Sequence, residues 1–585
     1  MIDHFSRLRG FQSVSWLGSL FSLSCALIDP LDAAPAVHGS GSSATAGSSQ
    51  VQAGTGPDSG GSTGGLGGNG DAAGVMSDTG GSGAEAGAGA GSSCVSNADC
   101  ESNSRCLPEH ACVRLDTGST GPCPRLIGGE FANDPNAIFF GAFAPLAQSN
   151  VPALTIPAIY EMAAGEFNSL GGLRGVSNSA PSPLVVIVCD NDATSTAQAL
   201  HHLIDVVKVP AVLAAMDPNQ LLAGFNQNQH TFFISAAHAS QELANVSNGR
   251  AWTMLGQPSD FVAIYEALMP HAEALVRADL PPAEAGRDIR VAAVTEDGNS
   301  DQEELFNAVL PRLSFNGKTA AEQMGTNFLV GQLSRDSSNV DAVVATLYSG
   351  LQRPDIVFSF ASGVFTARNG VMHGLNTKYW PNQRPVYILS PENAVAGSSV
   401  TAELNAMWQS VDHKDNAARV LGVDLAGVTT DTAATFNSFA VRLHSQASFL
   451  DADFSNYYDA FYFLAFAAYA SPRQAFFSGL IGPADFEHGM LRLTNLGQTR
   501  YDVGPVDISN VFTALSNPNS MLELGGTMGR PDFDRASGMR RDPGSIYCFD
   551  STTFEIQKDV IRYDRETQKF KQVDHPLCLV NFLAN

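Results

Sequence analysis

From residue 137 onward, short apolar bursts alternate with stretches whose apolar residues recur every three or four positions. Residues 137–146 (AIFFGAFAPL) are apolar almost without interruption, as in a strand covered on both faces. Residues 156–172 carry apolar positions at helical spacing and stop at Gly171 and Gly172, predicting a helix. The alternation continues with a strand at 184–192 (LVVIVCDND), a helix over 194–207, a strand at 211–216 (AVLAAM), a helix over 219–228 and a strand at 231–238 (TFFISAAH). Alternating strands and helices predict a parallel sheet with helices on both faces.

A second series follows. It predicts a helix over 261–278, a strand and loop at 288–300 (DIRVAAVTEDGNS), a helix over 303–313 and a strand at 327–334. A helix over 340–351 and strands at 355–363 (DIVFSFASG) and 384–393 (RPVYILSPEN) complete it. Residues 457–470 (YYDAFYFLAFAAYA) read as a helix buried on more than one face. The last part, 544–570, holds two short strand-like runs.

The start of the chain has a different character. Arg7 and Arg9 precede an apolar stretch at 14–23, and Cys25 follows; this reads as an export signal, too short to span a bilayer. The context of Cys25 resembles a bacterial lipoprotein signal, in which that Cys is lipidated. Ser22 stands where Leu is usual, so a plain cleaved signal is the rival reading. Residues 26–93, chiefly Gly, Ser and Ala, cannot bury enough surface to offset their ordering entropy and predict a disordered linker. The Gly65–Gly70 match to a dinucleotide fingerprint lacks the flanking strand and helix it needs, so it is set aside.

Residues 94–123 hold five cysteines, Cys94, Cys100, Cys106, Cys112 and Cys123. No Cys-x-x-Cys knuckle is present, which favours a disulfide-stapled knot over a metal site. With Cys189, Cys548 and Cys578, an even set remains beyond Cys25; eight cysteines allow 105 connectivities. The expected pairs are Cys94–Cys106, Cys100–Cys112, Cys123–Cys189 and Cys548–Cys578.

Composition narrows the function classes. The chain of 585 residues is too long for one core. Its 33 basic against 58 acidic residues give a net charge of −25, which argues against nucleic acid and against binding to anionic lipid. Contact with a membrane is expected only through a lipid anchor. No nucleophile elbow, zinc-protease helix or phosphate-binding loop occurs, so an enzyme is not expected, and neither a metal nor a cofactor is implied.

The ordered set FFGAFAPL, EFNSLGGL, LVVIVCDND, VPAVLAAM, FFISAAHAS, IRVAAVTEDGNSDQEELFNAV and NYYDAFYFLAFAAYA resembles the type I periplasmic binding proteins, in the leucine/branched-chain amino acid-binding family of transporter receptors. The resemblance implies an α/β fold of two Rossmann-like parallel-sheet lobes joined by a three-crossing hinge, here preceded by the disordered linker and the small disulfide-rich segment. Crossings are expected near Thr253, Asn393 and Met521. Lobe 1 would then comprise 124–254 and 393–520, and lobe 2 would comprise 255–392 and 521–585. The resemblance also implies an exported protein, periplasmic or at the cell surface, that captures a small solute by hinge closure. It would pass the solute to an ABC permease or a membrane sensor. A structural surface lipoprotein with a degenerate cleft is the alternative.

Ligands of open α/β sheets settle beyond the carboxyl ends of the strands. On that basis Asp217, Asn219, Ser235, Ala237, His238 and Ser240 are candidates from lobe 1, and Glu296, Ser359 and Glu392 from lobe 2. Relatives usually carry Gly and Ser in the loop that here runs Ala215–Asn219, and often Ser or Thr near position 238, so a clamp for a free amino acid's carboxylate is in doubt. Helix capping competes for Asp217 and Glu296, and packing competes for His238. Asp190, Asn191 and Asp192 lie at the rim of the same crevice, where turn chemistry is the preferred reading. Asp459 is expected to be a structural hydrogen-bond partner.

Overall fold

The computed structural model describes residues 93–146, 151–173, 182–192, 195–216, 218–237, 240–367, 369–379, 385–395, 419–424, 432–446, 450, 454–471, 481–541, 544–550, 556–564, 567 and 569–572. The export signal, Cys25 and the linker up to residue 92 lie outside them.

The first ordered segment is a staple. Strands β1 (Ser104–Cys106) and β2 (Cys112–Arg114) form an antiparallel hairpin. Bridges Cys94–Cys106 and Cys100–Cys112 cross it, and Cys123–Cys189 fastens it to the first lobe, so three of the expected pairings are present. Cys548 is also disulfide-bonded, and Cys578 lies outside the described residues. The sulfurs of Cys94, Cys100 and Cys112 lie within 4.8 Å of one another, but all three are committed to bridges rather than free to hold a metal. Side chains continue the fastening: Asn97 Nδ2 donates to Asp134 O at 2.9 Å, and Asn133 Nδ2 donates to Cys100 O at 2.7 Å.

Lobe 1 starts with β3 (Arg125–Ile127), β4 (Ile138–Ala144) and α1 (Val151–Ser169). It continues through β5 (Leu184–Asp190), α2 (Thr196–His201), β6 (Ala211–Ala214) and α3 (Pro218–Gln227). Then come β7 (Phe232–Ser235), α4 (Gln241–Val246) and β8 (Ala251–Thr253). The parallel order is β5-β4-β6-β7-β8, with β3 antiparallel on the outer edge of β5. Side chains alternate across the sheet. Phe140 faces the layer of Tyr160 and Phe167, whereas Phe139 and Phe143 face Leu203, Phe225 and the staple's Leu115.

Lobe 2 repeats the plan. Helix α5 (Pro258–Asp279) leads to β9 (Val291–Glu296) and α6 (Ser300–Val309). A small hairpin of β10 (Ser314–Phe315) and β11 (Lys318–Thr319) precedes β12 (Phe328–Leu333) and α7 (Val340–Gly350). Next are β13 (Ile356–Phe360), α8 (Val371–Tyr379), β14 (Val386–Leu389), α9 (Pro391–Val395) and β15 (Val420–Asp424). The parallel order is β12-β9-β13-β14-β15. Each lobe therefore runs second, first, third, fourth, fifth, a doubly wound order whose switch point lies between its first and third strands.

The chain then returns to lobe 1 as α10 (Ala433–Gln446), α11 (Ser455–Ala470) and α12 (Pro483–Leu493). After these come β16 (Arg500–Asp502), α13 (Ile508–Leu515), β17 (Glu523–Gly525), β18 (Phe533–Asp534) and β19 (Met539–Arg540), the last pairing with β8. It finishes in lobe 2, where β20 (Ser545–Phe549), β21 (Ile556–Asp564) and β22 (Lys569–Gln572) extend the sheet antiparallel from β15. Helix α11 is buried on nearly every face, as its composition predicts. It packs against α12, where Gly489 lets the backbones approach: a Cβ there would meet Ala467 O at 2.2 Å.

Two expected crossings are displaced. The sheet of lobe 2 runs on past Asn393 to β15, so the second crossing lies between Asp424 and Ala433. Asn393 is instead buried in lobe 2, donating to Ser362 O at 3.1 Å. The third crossing follows Arg540, not Met521, because β17, β18 and β19 stay with lobe 1. After Thr253 of β8 the chain passes to α5 at Pro258.

Candidate functional site

The carboxyl ends of the two sheets meet across a gap. Pro218 and Asn219, at the start of α3 after β6, border it from lobe 1. Ser300, Asp301, Glu303, Glu304 and Asn307 of α6, after β9, border it from lobe 2. The space between them is about 290 Å³. Among the described residues a bond latches the rim: Gln241 N, the first amide of α4, donates to Glu304 Oε1 at 2.7 Å. A helix N-terminus carries unpaired amides and partial positive charge, so a carboxylate suits it.

Beneath the lobe 1 rim, the Asp-Asn-Asp loop performs turn chemistry. Asp190 Oδ1 accepts Leu146 N at 3.0 Å, and Asn191 Nδ2 donates to Ala215 O at 2.8 Å. The two side chains thus tie the loops after β4 and β6, the strands flanking the switch point. Ser235 is buried, and its hydroxyl is committed: it donates to Ala214 O and accepts Ala237 N, both at 3.0 Å. Ser240 caps α4 by accepting Leu243 N at 3.1 Å. Asn456 of α11 donates to Ala236 O, closing this loop from behind. Of the lobe 1 candidates, Asn219 borders the gap, Ser235 and Ser240 serve the backbone, and Ala237 gives its amide to Ser235. Asp217 and His238 lie outside the described residues.

In lobe 2 the switch point is bridged by Glu296, whose Oε2 accepts Ser362 N at 2.8 Å across from β9 to the loop after β13. Glu392 accepts Asn299 Nδ2 at 3.1 Å, and Asn299 Oδ1 in turn caps α6 by accepting Gln302 N. Glu392 is therefore a lobe 2 residue on α9 rather than a hinge residue. Ser359 is corrected as well. It sits inside β13, fully buried, on the face opposite Phe358 and Phe360, and it does not line the gap. Ser362, three residues on, stands half-buried at that strand's end.

The hinge has its own electrostatics. Arg540, at the last crossing, donates to Met254 O at 3.0 Å and to Met528 O at 2.8 Å, tying the first crossing to the last. Asp459 on α11 lies close by and accepts Thr527 N and Thr527 Oγ1, each at 2.9 Å. Burial pushes its carboxyl up to about 6, against the opposing pull of those bonds and of Arg540.

Sequence reasoning did not single out Gln241, Asn299, Ser300 or Glu304. Asn299 was findable, because an Asn just before a helical pattern is a capping signal. The pairing of Gln241 with Glu304 joins residues 63 positions apart in different lobes, and no local pattern carries it.

No protein-family profile matches the chain, and no curated protein matches it. Solved structures do resemble it. One is an ABC transporter substrate-binding protein from Desulfitobacterium hafniense in complex with Leu: 15% identity, 72% of this chain, 100% of that chain, TM-score 0.42. A fatty acid ABC transporter substrate-binding protein from Thermomonospora curvata has 13% identity over 75% of this chain and 95% of its own, with TM-score 0.48. A solute binding protein of an ABC transporter from Rhodopseudomonas palustris, in complex with 3,4-dihydroxy benzoic acid, has 11% identity over 72% and 95%, with TM-score 0.46.

Proposed function

We propose that this protein is an extracytoplasmic solute receptor that captures a small polar metabolite, an amino acid or a related compound, between its lobes by hinge closure. One observation carries the reading: two sheets of the same strand order, joined by three crossings, with their carboxyl ends facing each other across a latched gap. A solute that touches both walls favours the closed form by its differential affinity. The walls differ in charge. Lobe 1 lines the gap with the amino end of α3, and lobe 2 lines it with the carboxylates of Asp301, Glu303 and Glu304, the last already accepting Gln241 N. A zwitterion with its carboxylate toward α3 and its ammonium toward α6 complements both. Delivery to an ABC permease, export by the amino-terminal signal and anchoring through Cys25 belong to the same proposal. So does the absence of catalysis.

A second reading, a sensing or structural surface lipoprotein with a degenerate cleft, is favoured by Ser235 and Ser240. Ser235's hydroxyl donates to Ala214 O and so offers no proton to a ligand's carboxylate, and Ser240's oxygen is taken up in capping α4. Thermal denaturation of the full chain against free amino acids, their amides, small acids and sugars separates the two. The receptor reading expects at least one amino-acid-like compound to raise Tm; a ligand at a hundred times its Kd adds about 2.7 kcal/mol. Ser362→Trp, which blocks the lobe 2 strand end, should remove that rise. No rise with any compound favours the degenerate cleft.

A further inference from the structure

A second cavity lies away from the gap. It holds about 660 Å³ between the disulfide staple and the amino ends of the lobe 1 strands. That volume suits a small organic ligand. Ile138, Phe139 and Val209 form an apolar wall, and Ile204 flanks it. Arg105, from β1 of the staple, borders the same space with its guanidinium over the Phe139 ring at 4.7 Å.

Among the described residues the Arg105 guanidinium makes no hydrogen bond or ion pair, and its Nε is buried without a partner. Glu109 acts on it electrostatically but is already ion-paired with Lys208. Asp205, also on the cavity border, pairs with His201 at 2.7 Å. A half-buried cation is costly unless something answers its charge, and guanidinium geometry matches a carboxylate with two parallel bonds. Burial with no carboxylate bond lowers its pKa to about 10, as expected of a cation lacking its partner.

We infer that this cavity is a second ligand site, taking a small amphipathic carboxylate whose head meets Arg105 and whose apolar body lies on Ile138 and Ile204. The site is built only when the staple docks on lobe 1, so the disulfide hairpin is part of the binding machinery rather than a spacer. It does not depend on the gap between the lobes.

The test uses the full oxidised chain with octanoate and benzoate as probes and octanol and benzyl alcohol as uncharged controls, followed by titration calorimetry. At least one carboxylate should bind, with its matched alcohol at least ten-fold weaker. Arg105→Gln should weaken the carboxylate at least ten-fold, and Arg105→Lys should restore part of the loss. Ile204→Trp, which fills the apolar side and leaves every charge in place, should also abolish binding; it covers the case in which Arg105→Gln loosens the staple. Ser362→Trp at the end of lobe 2 strand β13 should change nothing. The proposal is overturned if neither carboxylate binds, if alcohol and acid bind alike, if binding survives both Arg105→Gln and Ile204→Trp, or if Ser362→Trp removes it.

Discussion

Asp459 shows how one buried side chain makes stability depend on pH. Its folded-state carboxyl titrates near 6 against 3.8 for the free group, because burial outweighs its hydrogen bonds. The folded state therefore binds the proton more tightly. Asp459 contributes stability that is complete below 3.8 and is lost as pH rises through about 6. The loss amounts to about 1–3 kcal/mol between roughly pH 4 and pH 7. Asp459→Asn keeps an oxygen for Thr527 and has no proton to lose. Urea unfolding at a series of pH values should show a shallower slope in that interval for the variant. An unchanged slope would place the titration elsewhere. Other residues here were legible in part. Asp and Asn at a strand mouth signal turn chemistry by type, and Asp190 and Asn191 make those bonds. Ser359 misled because a serine near a strand end looks available, whereas the pleat turns this one inward.

At the scale of elements, parallel strands covered on both faces read as continuous apolar runs, and β4, β5, β6, β7, β9 and β13 were recognisable for that reason. Strand β15 was not. It is five residues long with a glycine in the middle, because Gly422 faces the Tyr547 ring, where a Cβ would lie 1.9 Å from a ring carbon. Missing that strand moved the second crossing to Asn393. The short pairs at β18 and β19 hid the third crossing in the same way, since two-residue strands carry no period. Helix packing gives a prediction of opposite signs. Gly165 on α1 faces open space, so Gly165→Ala should stabilise by about 1 kcal/mol through helix propensity alone. Gly489→Ala on α12 brings the same propensity but drives a methyl into Ala467 O of α11, and should destabilise by about 1–3 kcal/mol. Denaturant midpoints of the two variants check this. Equal gains would mean that α11 and α12 are not held at this separation.

The whole molecule repeats one doubly wound plan and faces the two copies toward each other. That arrangement sets two strand-end crevices opposite each other, and the bonds of Arg540 to Met254 O and Met528 O tie the chain where it passes between the sheets. Alternation along the sequence foretold both lobes. It could not foretell the latch, because Gln241 and Glu304 meet only after each lobe has folded and the crossings have set their relation. Hydrogen–deuterium exchange of the full chain, with and without leucine, glutamate, 3,4-dihydroxybenzoate or glucose at millimolar concentration, tests this most directly. At least one compound should slow exchange in two places together: the amino ends of α3 and α4 in lobe 1, and the start of α6 with the loop around Ser362 in lobe 2. Protection confined to one lobe, or none with any of the four, would contradict capture between the lobes.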